Sequence, residues 1–223
     1  MGLLLVGIGI GLLISGGIAL VRVIGASGSN HPNAHPLHVE VVRSDHEPWA
    51  VAFRDDAPGL TPSDLSGRSH VESYQALREH GGVDFATTEL RLRLSTHHAD
   101  AVVVREISVV VVRRDPPFAG RLVGVDSSSA DEPTALVYDL DAEDPGAHVT
   151  VDFAANPIIV RTGEPVDVHI IGTTAAAYCQ WRVHIDAGVA DDFHRMTVDD
   201  HGLPFETTGG DRAAFAQGLE LLD

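Results

Sequence analysis

The stretch AAAYCQWRVHID, residues 175–186, decides how this chain is read. It sets the only cysteine beside a tryptophan, an arginine, a histidine and an aspartate, the company a reactive site keeps. Its spacing argues for something else. Successive side chains of an extended strand point to opposite faces. Cys179, Trp181, Val183 and Ile185 therefore share one face, and Tyr178, Gln180, Arg182, His184 and Asp186 share the other. The apolar parity carries the thiol inward, where cysteine packs as a small hydrophobe and burial disfavours the reactive thiolate. The stretch is read as a core strand and as the first arm of a C-terminal hairpin or corner. MTVDD (196–200) alternates again, with Met196 and Val198 on one face, and His201-Gly202 is a turn into LPFET.

The same period of two runs upstream. ELRLRLS (89–95) puts Leu90, Leu92 and Leu94 on one face and Glu89, Arg91, Arg93 and Ser95 on the other, a strand with one buried and one wet face. AVVVREISVVVVRR (101–114) is too apolar for a surface strand and too β-branched for a helix. It reads as a central strand, bent near Arg105-Glu106 and ended by Pro116-Pro117. Shorter runs are LHVEVVR (37–43), WAVAF (49–53), RLVGV (121–125), TALVYDL (134–140), HVTVDFA (148–154), PIIV (157–160) and PVDVHII (165–171). Turn residues such as Asp144-Pro145-Gly146 and Thr162-Gly163-Glu164-Pro165 divide them.

A non-strand insertion interrupts the pattern at 54–83. Inside it, Ser69-His70-Val71-Glu72 is a capping box, which predicts a short helix with Val71, Tyr74 and Leu77 on one face and Gly81-Gly82 as its stop. The whole succession predicts a mainly β fold: an antiparallel β-sandwich of immunoglobulin-like type over 37–208, with the helical insertion, either as one sandwich or as two small ones. The acidic tail, 209–223, is expected either as a short helix packing Phe215, Leu219 and Leu222 or as a loose segment.

GLLLVGIGIGLLISGGIALV (2–21) carries no charge. A helix needs about 20 such residues to cross a hydrocarbon core of about 30 Å. The run is longer than a signal-peptide core and has no basic side chain before it, so residues 1–24 are read as an uncleaved signal anchor, a single transmembrane helix. Ala26-Ser27-Gly28 leaves a weak cleavage site as the alternative. Gly7, Gly11 and Ser15 recur every four residues and form a smooth stripe suited to a homodimer, although such glycines are also simply tolerated in lipid. Residues 25–36 form a polar linker. Arg22 favours a cytoplasmic domain and the tether-like linker favours the outside; the extracytoplasmic side is the reading adopted.

Against 32 acidic residues stand 15 basic ones, and the net charge of −17 repels phosphate backbones and argues against nucleic acid. Every basic residue is arginine, which looks like the coding bias of a high-GC bacterium. A single cysteine excludes an intramolecular disulfide and any multi-thiolate metal site.

YCQWRVHID followed by MTVDDHGLPFETT, together with VVVREISVVVVRRDPP and Gly120, resembles the C-terminal part of actinobacterial single-pass membrane-anchored proteins. The likeness covers roughly residues 90–208. It implies an extracytoplasmic β domain on one transmembrane helix, and it brings no activity with it.

Candidate sites are few. His31, His35 and His38 are close in sequence, but Pro32 and Pro36 exclude a helix that would converge them, so they read as a solvated tether. His97-His98 with Asp100 reads as a surface loop, and His184 and His194 are within reach of Asp186, Asp191 or Asp192 at one end of the C-terminal hairpin. DLDAEDPG (139–146) places Asp139, Asp141, Glu143 and Asp144 as weak calcium candidates; it lacks the EF-hand glycine and terminal acid, and an acidic turn is the plainer account. There is no G-x-S-x-G elbow, no H-E-x-x-H, no phosphate loop and no dinucleotide fingerprint, and Ser69 is a helix cap. No catalytic residue and no cofactor is therefore expected. The expectation is a non-catalytic interaction or sensing module held at a bacterial envelope, with a protein or polymer partner. The alternative is an envelope hydrolase or accessory carbohydrate-binding domain with a carboxylate cleft, its sugar platform drawn from Trp49 or the tyrosines.

Overall fold

The computed structural model of the chain describes residues 35–42, 49–54, 60, 62–125, 135–146, 151–153, 155–212, 215 and 219–221. The expected span at 2–21, its Gly7, Gly11 and Ser15 stripe and His31 lie outside the described residues, as does the Trp49 side chain. Among the described residues no helix is long and apolar enough to cross a membrane.

The fold is mainly β. Its elements are β1 (His38–Val42), β2 (Trp49–Ala52), α1 (Pro62–Leu65), α2 (His70–Glu79), β3 (Val83–Phe85), β4 (Thr87–Ser95), β5 (Val102–Asp115) and β6 (Leu122–Val125). They continue with β7 (Ala135–Asp139), β8 (Ile158–Val160), β9 (Val166–Thr173), β10 (Tyr178–Val189), β11 (Asp192–Val198), β12 (Phe205–Thr208) and β13 (Leu219–Leu221). A small sheet runs β1-β4-β9-β7, and a larger one runs β13-β6-β2-β3-β12-β10-β5-β8, with β11 also on β10. Neither sheet closes on itself.

β4 and β10 hold the two sheets to one core. Burial alternates residue by residue along β4, which turns Leu90, Leu92 and Leu94 inward, and β10 answers with Cys179, Trp181, Val183 and Ile185. Trp181 is wholly buried. Its Nε1 donates to Thr207 Oγ1 on β12 at 2.9 Å, and its ring lies 5.1 Å from that of Phe205. Across the core it lies against β9 at Gly172, where an added Cβ would come within 2.8 Å of Cζ2. Thr207 Oγ1 in turn meets Thr88 Oγ1 of β4 at 2.6 Å.

The larger sheet extends beyond the smaller one, and α2 covers the remainder. Asp84 stands opposite both Val51 and Thr207 in register, so all three share the Trp181 face. On that face Val51, Phe53 and Val123 pack with Leu65, Tyr74, Ala76 and Leu77. The capping box forms as its sequence predicts: Ser69 Oγ accepts from the Glu72 N–H, and the Glu72 carboxylate accepts from the Ser69 N–H. Gly81, at φ 84°, ends the helix in the left-handed region that glycine adopts most readily. On the opposite parity a third cluster gathers Ala52, Val83, Phe85 and Tyr178 with Phe118 and Phe215.

Several expectations are corrected. Antiparallel pairing is not universal, because β7 runs parallel to β9, β3 to β12 and β6 to β13. Each of these pairs joins strands far apart in sequence, and no hairpin forces their direction. Residues 219–221 of the tail form β13 on the edge of β6 and Phe215 is buried, while Leu222 and the Leu219 side chain lie outside the described residues. Residues 151–153 of the expected strand HVTVDFA are not strand. The insertion ends one residue early, since Val83 begins β3. The bend expected near Arg105-Glu106 is real: the β5–β10 register skips Arg105, and skips Val112 as well.

Gly172→Ala should lower unfolding stability by about 1–3 kcal/mol, the usual cost of overpacking a filled core. Chemical denaturation of the variant measures this, and an unchanged midpoint would mean that the indole does not rely on the bare backbone of β9.

Candidate functional site

β10 is flanked by β5 along one side and by β11 and β12, end to end, along the other. Between those two, Asp200 and Leu203 bridge a loop-out through His201 and Gly202, so MTVDDHGLPFETT is one flank with an excursion. This geometry places the second parity of β10 in the middle of an open sheet face. Gln180, Arg182, His184 and Asp186 are each half-buried there.

The charges on this face are paired at short range. Asp186 takes a bidentate bond from Arg195, at 2.9 and 2.7 Å. That bond holds its carboxyl below the usual carboxylate range in spite of partial burial. His184 is pushed down by burial and by Arg195 and Arg182, against the opposing pull of Asp186 and Glu106. Arg182 Nε lies 3.7 Å from Asp199 Oδ2, and Asp199 Oδ1 accepts the Gly202 N–H that shapes the loop-out. Glu206 accepts from both Gln180 and Tyr178, and Arg78 of α2 stands 3.7 Å from its other oxygen and 3.9 Å from Asp200. The result is a polar row in which Asp186, Asp199 and Glu206 each have a donor or cation close by.

The residues singled out in the sequence fall elsewhere. Cys179 is fully buried, with Sγ 3.7 Å from the Leu140 carbonyl, and burial pushes its thiol up. Asp141 is built into the fold: Thr174 Oγ1 and the N–H groups of Ala175 and Ala176 donate to it at 2.7, 2.7 and 3.1 Å. Those bonds outweigh its desolvation and hold the carboxyl low. Asp139 and Asp144 each accept a backbone N–H two residues on, from Asp141 and Gly146, while Glu143 is exposed. Arg114 Nε of β5 reaches the Leu140 carbonyl at 2.9 Å, and the Asp141 bonds clamp the end of β7 to the turn that starts β10.

Among the histidines, His98 accepts the Asp100 N–H within its own loop, and His194 Nε2 is 3.0 Å from Asp192. Asp186 turns to Arg195 instead of to either histidine. His38 is exposed, but His35 is half-buried against His194, where a solvated tether was expected. Among the described residues, no three His, Cys, Asp or Glu side chains gather in a way that would hold a metal ion. Sequence reading missed the Arg78–Glu206 approach and the buried Tyr74–Asp84 bond, 2.6 Å long. Both depend on how a helix lies on a sheet, which no local spacing encodes.

No family model, no curated protein and no solved structure matches this chain.

Two outcomes follow from this placement. A thiol reagent should label Cys179 only in denaturant, whereas rapid labelling of the native chain would make the cysteine an open site. Asp141→Ala should cost about 1–3 kcal/mol through the donors it orphans, equally with added calcium and with chelator. A loss that appears only with calcium present would assign the carboxylate to a metal.

Proposed function

We propose that the chain is a non-catalytic interaction or sensing module of a bacterial cell envelope, anchored by the apolar run at 2–21 and presenting its β domain on the extracytoplasmic side. The observation that carries the non-catalytic part is the row along β10, where Asp186, Asp199 and Glu206 are each engaged by arginine, amide or backbone donors. A glycoside hydrolase would need two carboxylates set across the scissile bond. The finer architecture belongs to the same proposal. A core shared by two sheets around a buried tryptophan on a central strand supports an immunoglobulin-like sandwich, with its parallel pairs as a departure from that pattern. The uncharged length of the N-terminal run supports a retained span, and the polar linker that follows supports export.

Location and chemistry are tested separately. Protease added to intact, wall-stripped cells should remove the domain, and a phosphatase reporter fused after Asp223 should be active. A protected domain with a silent reporter would place it in the cytoplasm. Incubation of the full-length protein with envelope glycan fragments should give no turnover. Turnover that disappears in Glu206→Gln or Asp199→Asn would replace the module with a hydrolase.

A further inference from the structure

His35 lies just ahead of β1, and neither of its ring nitrogens is open to solvent or reaches a hydrogen-bond partner. Its ring meets that of His194 edge-on, with centroids 5.8 Å apart and planes at 70°. His35 leads into a strand of the small sheet, and His194 belongs to the larger one. β1 is an outer strand of the small sheet, and β11 pairs only with β10 among the described residues. Their contact therefore joins the margins of the sandwich, away from Trp181.

A neutral imidazole tolerates this setting at modest cost, but an imidazolium does not. Its two N–H groups would be desolvated with no acceptor and would face a second titratable ring. Asp192 offers a counter-ion to His194 at 3.0 Å, and among the described residues no ion pair or hydrogen bond is made by the His35 ring. The loop after β4 packs on the preceding proline, with Thr96 Oγ1 donating to the Pro36 carbonyl at 2.5 Å. That loop carries His97, His98 and Asp100, and the His98 ring is occupied by the Asp100 N–H. We propose that the His35–His194 contact is a pH-sensitive latch, which docks the segment leading into β1 against the β10–β11 hairpin at neutral pH and releases it in mild acid.

The direction follows from linkage. Burial, and then His194, push His35 below its ordinary value. The docked state thus binds that proton less readily than the released one, and docking is at full strength above histidine's ordinary value of about 6.5. It weakens as pH falls through the docked-state value. Release is local, because Leu37 stays in the core and Thr96 keeps hold of Pro36. The latch does not depend on where the domain is located.

Hydrogen exchange on the full chain in detergent micelles, compared at about pH 7.5 and about pH 5.5 after correction for intrinsic rates, tests the latch. The peptide spanning 192–198, which carries the ring that faces His35, should exchange several-fold faster in acid. His35→Phe, which keeps an aromatic ring but cannot titrate, should remain protected at both values. Equal protection of the wild type at both values, or the same acid loosening in His35→Phe, would overturn the proposal. If the variant fails to fold, imidazole NMR of the wild type decides: titration below the ordinary histidine value supports the latch, and titration at or above it refutes it.

Discussion

The structure depends on how one indole is accommodated. Trp181 occupies the point where the small sheet, the β10 strand and β12 meet, and each neighbour has adapted to it: Gly172 by having no side chain, Thr207 by supplying an acceptor, Phe205 by tilting its ring against it. A large side chain carrying one polar atom can be buried only if that atom finds a partner. The hydroxyl of Thr207 meets this need and passes the link on to Thr88 in the opposite sheet. Two sheets that share apolar side chains could slide by a register step, but a hydrogen bond and a close ring-to-backbone contact at the same residue fix them relative to one another.

Beyond that point the interior divides. The region under the small sheet is filled by aliphatic and aromatic side chains, and the region under α2 forms a separate cluster. Polar groups line the seam between them, with Asp84 accepting from Tyr74 and Thr207 accepting from Trp181. Satisfied in this way, buried polar atoms cost little and specify which surfaces meet, whereas an unsatisfied one would favour rearrangement. The helix is thereby placed on the end of the larger sheet, and its last turn brings Arg78 towards Glu206. One face of the sheet system is closed. The central strand's other face keeps charged side chains, with Arg195 on Asp186 and Arg182 near Asp199.

The sequence by itself determined the strand character of the chain and the inward turn of Cys179, because both rest on a period of two that a pleated backbone converts directly into faces. It also determined the α2 cap and its glycine stop, which are contacts between residues a few positions apart. The bend in β5 was legible too, since a charged pair in the middle of a valine run marks a place where alternation fails. Tertiary structure alone decided the parallel pairs, the strand formed by the tail, the bonding of Asp141 to the Thr174 turn, and the meeting of His35 with His194. In each of these the partners are distant along the chain, and their encounter follows from which sheet edge is vacant and which surface remains to be covered. Periodicity tells a residue which way to face; it carries no information about what will be standing there.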